Sequence, residues 1–259
     1  MNIDNMVINR PIRGTLFDKS TNEVLFSADQ LTDCSLECSG EQVYTNDALG
    51  QKIAAFDRSK DAKFSASNSI INFGLMAAQF GSDKEIASTE KKMIVPAFEL
   101  IEIGDDTTKI TLKDAPATEL KHIYATNADK SRSTMYNVAT AASETEFAIT
   151  GKEITLPTGV FQTGDRVAVW YDKETSEAQM IKNTTTNYAK GGRFVLEVLV
   201  CDVCDVNTEY YAYIIFNNCK LDNNVTINMS NEATHPFTVN ALQDYCSANN
   251  ELFTIMIAA

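Results

Sequence analysis

From Phe194 onward the chain is a succession of apolar, β-branched and aromatic runs, FVLEVLVCDVC, YYAYIIF, VTINM and ELFTIMI, broken by short polar turns. Side chains of this kind fit a pleated, half-buried surface, so this third of the protein is committed to β-structure. The same stretch holds a single lysine, Lys220, and no arginine, against Glu197, Asp202, Asp205, Glu209, Asp222, Glu232, Asp244 and Glu251. A β-surface with so much uncompensated negative charge carries no evident catalyst. It suits a wall that repels an anion, or one tile of a larger assembly.

A chain of 259 residues makes one large β domain or two modest ones. Its apolar fraction of 44% is enough for a packed core and excludes wholesale disorder. No stretch reaches the roughly 18 uncharged apolar residues a membrane-spanning helix needs. The opening residues, MNIDNMVINRP, lack a basic region followed by an apolar one, so no secretion signal is expected and synthesis in a cytoplasm is. A net charge of −13 argues against tightly bound nucleic acid, since phosphate binding relies on Lys and Arg. It leaves room for nucleic acid as a passing cargo that must not stick.

Along the chain, IRGTLFD and NEVLFSA flank Lys19–Ser20–Thr21 as a hairpin. Cys34 to Glu41 alternates like a strand, whereas residues 44–65 are mixed and loop-like, with a charged tract at Asp57, Arg58, Lys60 and Asp61. Ser67 or Asn68 caps a helix that uses Ile70, Ile71, Phe73, Leu75, Met76, Ala77 and Phe80 and stops at Gly81. Its apolar residues cover more than one face, so it either plugs its own β core or meets a neighbouring subunit. MIVPAFELIEIG, residues 93–104, reads as a strand, and Pro96 favours an edge. From 105 to 190, KITLKDAP, KHIYATN, STMYNVA, EFAITGKEITLP and DRVAVWYD recur at intervals of about ten residues, the spacing of a small inserted β-sandwich. Further strands of a single sheet are the other reading. Gly191–Gly192 reads as a turn, and Val239–Cys246, after a Thr238 cap, as a second helix. The fold class is thus mainly β, with a small β domain at 105–190 set between residues 1–104 and 191–259, which carry the remaining strands and a flanking helix.

Chemistry is sparse. Two histidines, His122 in a strand and His235 in a loop before Pro236, cannot build a three-His metal site. No nucleophile elbow, phosphate-cradling glycine loop or calcium loop occurs. Cys34, Cys38, Cys201 and Cys204 have zinc-like spacing, but VLVCDVCD reads as one strand, which points Cys201 and Cys204 to opposite faces. Buried free thiols are the simpler reading. No catalytic residues, cofactor or metal are expected. Trp170 and Tyr171 either pack in the core of the insert or form a sugar platform.

Taken with the first hundred residues, the paired runs FVLEVLVCDVCD and YYAYIIFNNCKLD, then VTINMSNEATHPFTVNALQDYC and ELFTIMI, resemble the tail tube proteins of long-tailed bacteriophages. The likeness is one of pattern and covers about 170 residues. It implies a β-sandwich flanked by a helix, subunits joined in hexameric rings around a continuous β-barrel, and rings stacked into a tube that conducts DNA. The segment 105–190 resembles the Ig-like or other small β domains that such tubes carry outside. Under this resemblance Glu197, Asp202, Asp205 and Glu209 are expected to line the lumen. Asp57, Arg58, Lys60 and Asp61 are expected to contact the next ring, unless residues 44–65 are an ordinary surface loop. The partners implied are further copies of the chain, other tail proteins, and DNA in transit; no membrane is implied. The location implied is the virion tail, after assembly in the host cytoplasm. Other readings are a capsid decoration protein, a tail fibre subunit, and a carbohydrate-binding β module.

Overall fold

Period-two alternation of apolar and polar residues becomes strand over most of the chain. The computed structural model describes residues 5–228, 230, 233–245 and 250–258. Glu232 and Cys246 of the sequence reading, and Met229 of the VTINM run, lie outside them. The chain divides into two compact units, Met1–Lys84 with Ile181–Ala259, and Glu85–Met180. The first begins with β1 (Met6–Phe17), β2 (Val24–Ala28), β3 (Leu31–Asn46), β4 (Lys52–Asn68) and α1 (Phe73–Phe80). The second contains β5 (Glu85–Ile86), β6 (Met93–Glu102), β7 (Lys109–Thr111), β8 (His122–Thr126), β9 (Arg132–Val138), β10 (Glu146–Thr150), β11 (Glu153–Thr155), β12 (Arg166–Thr175) and β13 (Gln179–Met180). The chain then returns to the first unit as β14 (Gly191–Asp202), β15 (Asp205–Leu221), β16 (His235–Ala241) and β17 (Thr254–Ala258).

The first unit is one sheet in the order β2-β1-β14-β15-β16-β4-β3, with β17 also paired to β15. Even-numbered residues of β14, Phe194, Leu196, Val198 and Val200, face the core, as do Ala212 and Phe216 of β15. Phe64 of β4 stacks on Phe194 of β14 at 5.5 Å, and Phe26 of β2 meets Phe237 of β16 edge-on at 5.7 Å. Neither pair joins adjacent strands, so the sheet curls over its own core. At about 1.5–3 kcal/mol for each fully buried large side chain, this phenylalanine cluster is a main source of the unit's stability.

Helix α1 closes the core. Asn72 caps it, accepting from the Leu75 N–H at 3.0 Å, and Gly81 ends it at φ 65°. Leu75 and Ala78 join the phenylalanine cluster, while Phe73 stays exposed. The helix therefore plugs its own core. It starts at Phe73 rather than just after Asn68, because Asn68 is the last residue of β4 and is paired there. A two-turn helix is unstable alone, and tertiary packing holds this one.

Four sequence expectations give way. Residues 44–65 are not a loop: they are the end of β3, the hairpin turn and most of β4. The segment read as a second helix is strand through Ala241, because Val239 enters the core cluster and pairs with Phe64. Val225–Asn228 forms no strand. Gly191–Gly192 is no turn but the start of β14. A Cβ on Gly192 would lie 2.0 Å from the Phe17 carbonyl oxygen, so glycine is needed there for close approach of two backbones.

The second unit holds a sheet in the order β6-β12-β8-β9-β10-β11-β7, and a small β13-β5 pair. Its core is Ile123, Phe147, Ile154, Val167 and Val169 with neighbours. The boundaries fall at 84/85 and 180/181, whereas the sequence suggested 104/105 and 190/191. Residues 93–102 pair with β12 through ten positions, from Met93↔Thr175 to Glu102↔Arg166, which ties them to this unit. Ala189 packs in the first core, and the Lys190 N–H donates to the Ala78 carbonyl at 2.8 Å, which ties 181–190 to the other. Pro96 does sit on an edge strand, where its missing N–H costs no ladder bond.

Candidate functional site

The feature that most needs a partner is the β3–β4 hairpin. Near the core its residues are partly buried, but Ser39–Asn46 and Lys52–Asp61 are exposed on both faces. At about 3.3 Å per residue this arm extends roughly 25 Å as a bare two-stranded ribbon. The sequence makes it locally sound. At the tip the Asp47 carboxylate accepts the N–H groups of Leu49 and Gln51 at 2.9 and 2.8 Å, and Gly50 takes φ 82°. On one face Tyr44 donates to Gln42 and Gln42 donates to Asp57, both at 2.9 Å, with the Lys52 ammonium 3.6 Å above the Tyr44 ring. The other face carries the apolar cross-strand pair Val43–Phe56. Phe56 is 55% exposed and Leu49 at the tip 87%. Isolated two-stranded ribbons are marginal in water, and nothing among the described residues covers these side chains.

All four residues of the charged tract lie on β4 in this arm. Asp57 pairs across to Gln42, Lys60 to Gly40 and Asp61 to Ser39; Arg58 stands opposite a register shift between Gly40 and Gln42. The sequence reading missed the strand because its outer half lacks the polar–apolar alternation of a half-buried one: with both faces wet, no period is selected.

The second exposed hairpin joins β14 to β15. Asp202 and Asp205 face each other across the turn Val203–Cys204. Asp202 accepts the Cys204 N–H at 2.8 Å and Asp205 accepts the Thr208 hydroxyl at 2.7 Å. Glu197 and Glu209 project from the face opposite the core, in the odd-numbered register of β14 and β15, and Glu209 accepts from the Asn9 amide. The structure thus gathers Glu197 and Glu209 on one sheet face and Asp202 and Asp205 at the hairpin tip. The acidic charge is less bare than composition suggests: Arg13 lies 3.5 Å from Glu197, and Lys19 2.9 Å from Asp244. Around these groups Val7, Ile8, Val203, Val206, Tyr211, Ile255 and Met256 are exposed, Ile8 to 67%.

The turn at Val203–Cys204 also revises the cysteine geometry, since VLVCDVCD is a strand, a turn and the start of another strand. Cys201 is buried and Cys204 exposed, while Cys34 and Cys38 lie exposed on β3. Among the described residues no three or more His, Cys, Asp or Glu side chains converge to hold a metal. Burial pushes the Cys219 thiol up to about 12, which keeps it protonated and unreactive. No helix among the described residues is long and apolar enough to cross a membrane.

His122 bonds through Nδ1 to Asn137 Oδ1 at 2.9 Å on the outer side of β8. His235 is not in a loop: it is the wholly buried first residue of β16. Its Nδ1 accepts the Asn72 N–H at 3.2 Å and its Nε2–H donates to Gln79 Oε1 at 2.7 Å; Gln79 in turn donates to the Pro236 carbonyl at 2.9 Å. It ties α1 to the sheet, and burial lowers its pKa to about 4, so it is neutral. The aromatic pair of the insert divides. Tyr171 points into the core, and its hydroxyl donates to Glu99; burial and that carboxylate raise its pKa to about 12. Trp170 points outward, 47% exposed.

No curated protein matches the chain. Residues 7–255, nearly its full length, match the YomU/Tube protein family. The match runs through the curled sheet, the bare arm, the acidic hairpin and the insert alike; the chain belongs to the YomU/Tube protein family, a family of phage tail tube proteins and components of the virion tail.

Proposed function

We propose that this chain is the repeating subunit of a tail tube, in which six copies form a ring and rings stack into a conduit for DNA. The observation that carries the reading is the β3–β4 arm, a ribbon exposed on both faces with apolar side chains on it. An arm of this kind gains stability by pairing with the next subunit, and ring closure removes every free edge. In this reading the β14–β15 hairpin joins the same inner wall. Glu197, Asp202, Asp205 and Glu209 line the bore and repel phosphates, so that DNA slides without binding. Asp57, Arg58, Lys60 and Asp61 meet the adjacent ring, an open-ended contact that propagates as a filament. The subunit is structural rather than catalytic. It is assembled in the host cytoplasm, alongside other tail proteins, with DNA as cargo.

Negative-stain microscopy of the purified chain at high concentration tests this directly. Rings with six-fold symmetry, of the order of 100 Å across for six domains of this size, or tubes built from them, are expected. Monodisperse monomers, or the trimers of a fibre or decoration protein, would overturn it.

A further inference from the structure

The sheet face opposite the core of the second unit carries a feature that the proposed assembly does not invoke. In β12, Val167, Val169 and Tyr171 enter the core, which leaves Trp170 and Asp172 on the opposite side. Trp170 stands directly across from Phe98 of β6, ring centres 4.7 Å apart and tilted by 36°, and Phe98 is 55% exposed. Tyr124 of β8 meets the Trp170 ring edge-on at 5.6 Å and fixes its orientation. The indole is therefore a buttressed, flat, solvent-facing plate.

Beside it the sheet opens. β8 pairs with β12 only from Arg166 to Ala168. Beyond that the strands part, and the segment before β8 returns to β12 where the Ala117 N–H donates to the Asp172 carbonyl at 2.7 Å. The gap is an open cleft of ≈ 380 Å³ whose rim includes Glu119, Lys121, His122 and Asp172 next to Trp170. The Asp172 carbonyl points into this side of β12. Strand periodicity sends the N–H and C=O of Trp170 the same way, so a main-chain donor and acceptor face the cleft. With Nδ1 of His122 engaged by Asn137, Nε2 remains for a ligand.

We propose that this cleft binds one pyranose ring of a neutral polysaccharide. The apolar C–H face of the sugar stacks on Trp170, and its hydroxyls bond Asp172, His122 and the Trp170 main chain. A flat ring beside a few convergent polar groups suits a ligand with one apolar face and a polar edge. At ≈ 380 Å³ the cleft has the size of a small-molecule site, about 300–1,000 Å³. Two carboxylates against one lysine on its rim disfavour nucleic acids and phosphate-bearing polymers.

Trp170 is the only tryptophan of the chain, so its emission reports on this site alone. The experiment titrates the full chain with oligosaccharides of N-acetylglucosamine, glucose and galactose, and with poly(glycerol phosphate). A saturable shift with at least one neutral oligosaccharide and none with the phosphate polymer is expected. In calorimetry with that oligosaccharide, Trp170→Ala should lower affinity roughly tenfold or more, and Phe98→Ala by less. Both variants should remain folded, with melting temperatures lowered by no more than about 6 °C, because each side chain is half exposed and loses only its packing on the neighbouring rings. The proposal is overturned if no neutral oligosaccharide gives a saturable shift, or if Trp170→Ala binds as tightly as the parent. It is also overturned if the emission responds to protein concentration without sugar, which would make the plate an interface between copies. Ring and tube formation are read separately by microscopy, and their presence or absence does not alter these outcomes.

Discussion

Single residues fix the junctions of the first unit, and His235 is the clearest. Its imidazole is buried neutral, accepting from Asn72 and donating to Gln79. An unfolded histidine titrates near 6.5 and this one near 4. Stability is therefore fully present above pH 6.5 and is lost as pH falls from 6.5 to 4, where only the unfolded chain takes the proton. Below 4 both states are protonated and the loss levels off. The whole effect is about 3 kcal/mol or less. Thermal melts from pH 7 to 4 should show a steeper decline for the parent than for His235→Gln, whose own stability is lower at pH 7. Parallel declines would deny His235 this role. Asp18 acts in a separate window: bonds from Ser20 and Thr21 hold its carboxyl at about 2, so its contribution fades only as pH drops from 3.8 toward 2. A second residue-scale test is Gly192→Ala. Its methyl would collide with the Phe17 carbonyl, and because backbone cannot yield as a flexible side chain can, a loss of the order of 3 kcal/mol is expected. In a domain this large that lowers the melting temperature by roughly 6–12 °C. None of this was legible in the sequence. A histidine before a proline and a pair of glycines read as turn chemistry, and only the tertiary path of β1 and α1 shows what they touch.

At the scale of elements, legibility followed burial. Strands with one face in a core announced themselves: β14, β15, β8, β10 and β12 alternate as their packing demands, and α1 showed its C-terminal stop at Gly81, whereas its cap is Asn72 and not Ser67 or Asn68. The outer arm of β3 and β4 did not, since two wet faces impose no pattern. The segment at Val239 misled for the opposite reason. Val239, Leu242 and Tyr245 stand at helical spacing, yet Val239 is buried against Phe64, and the strand wins because the core is there to receive it. Under the proposed function the arm is also where assembly is decided. Replacing residues 43–55 by a short turn should leave a folded, soluble subunit, since every residue removed is exposed, while abolishing rings and tubes in micrographs. The milder Phe56→Asp puts a charge on the apolar face of the ribbon. It should keep the monomer's melting temperature within about 2 °C, as surface changes do, and raise the protein concentration at which tubes first form. Tubes of normal yield from either variant would mean that the arm is not the assembly element.

For the molecule as a whole, charge sets the terms on which copies would meet in the proposed tube and on which DNA would pass through it. A net charge of −13 opposes bringing subunits together. Because the screening length shrinks from about 10 Å at 0.1 M salt to about 3 Å at 1 M, polymer yield should rise with ionic strength. The same acidity bears on transit through the proposed bore. Asp205 and Glu209 are exposed, and neither forms an ion pair among the described residues, so both can be reversed without stranding a buried partner. In Asp205→Lys with Glu209→Lys, each subunit changes by four charge units at the inner wall, and the repeating ring multiplies the change. Each new lysine that meets a phosphate steepens the fall of log affinity against log salt by about 0.9. Parent tubes mixed with linear duplex DNA should retain none of it on a filter at any salt. Tubes of the double variant should retain it at low salt and release it steeply as salt rises. If the variant tubes assemble normally and still hold no DNA, those two residues face outward, and the wall that repels the cargo is built from other parts of the sheet.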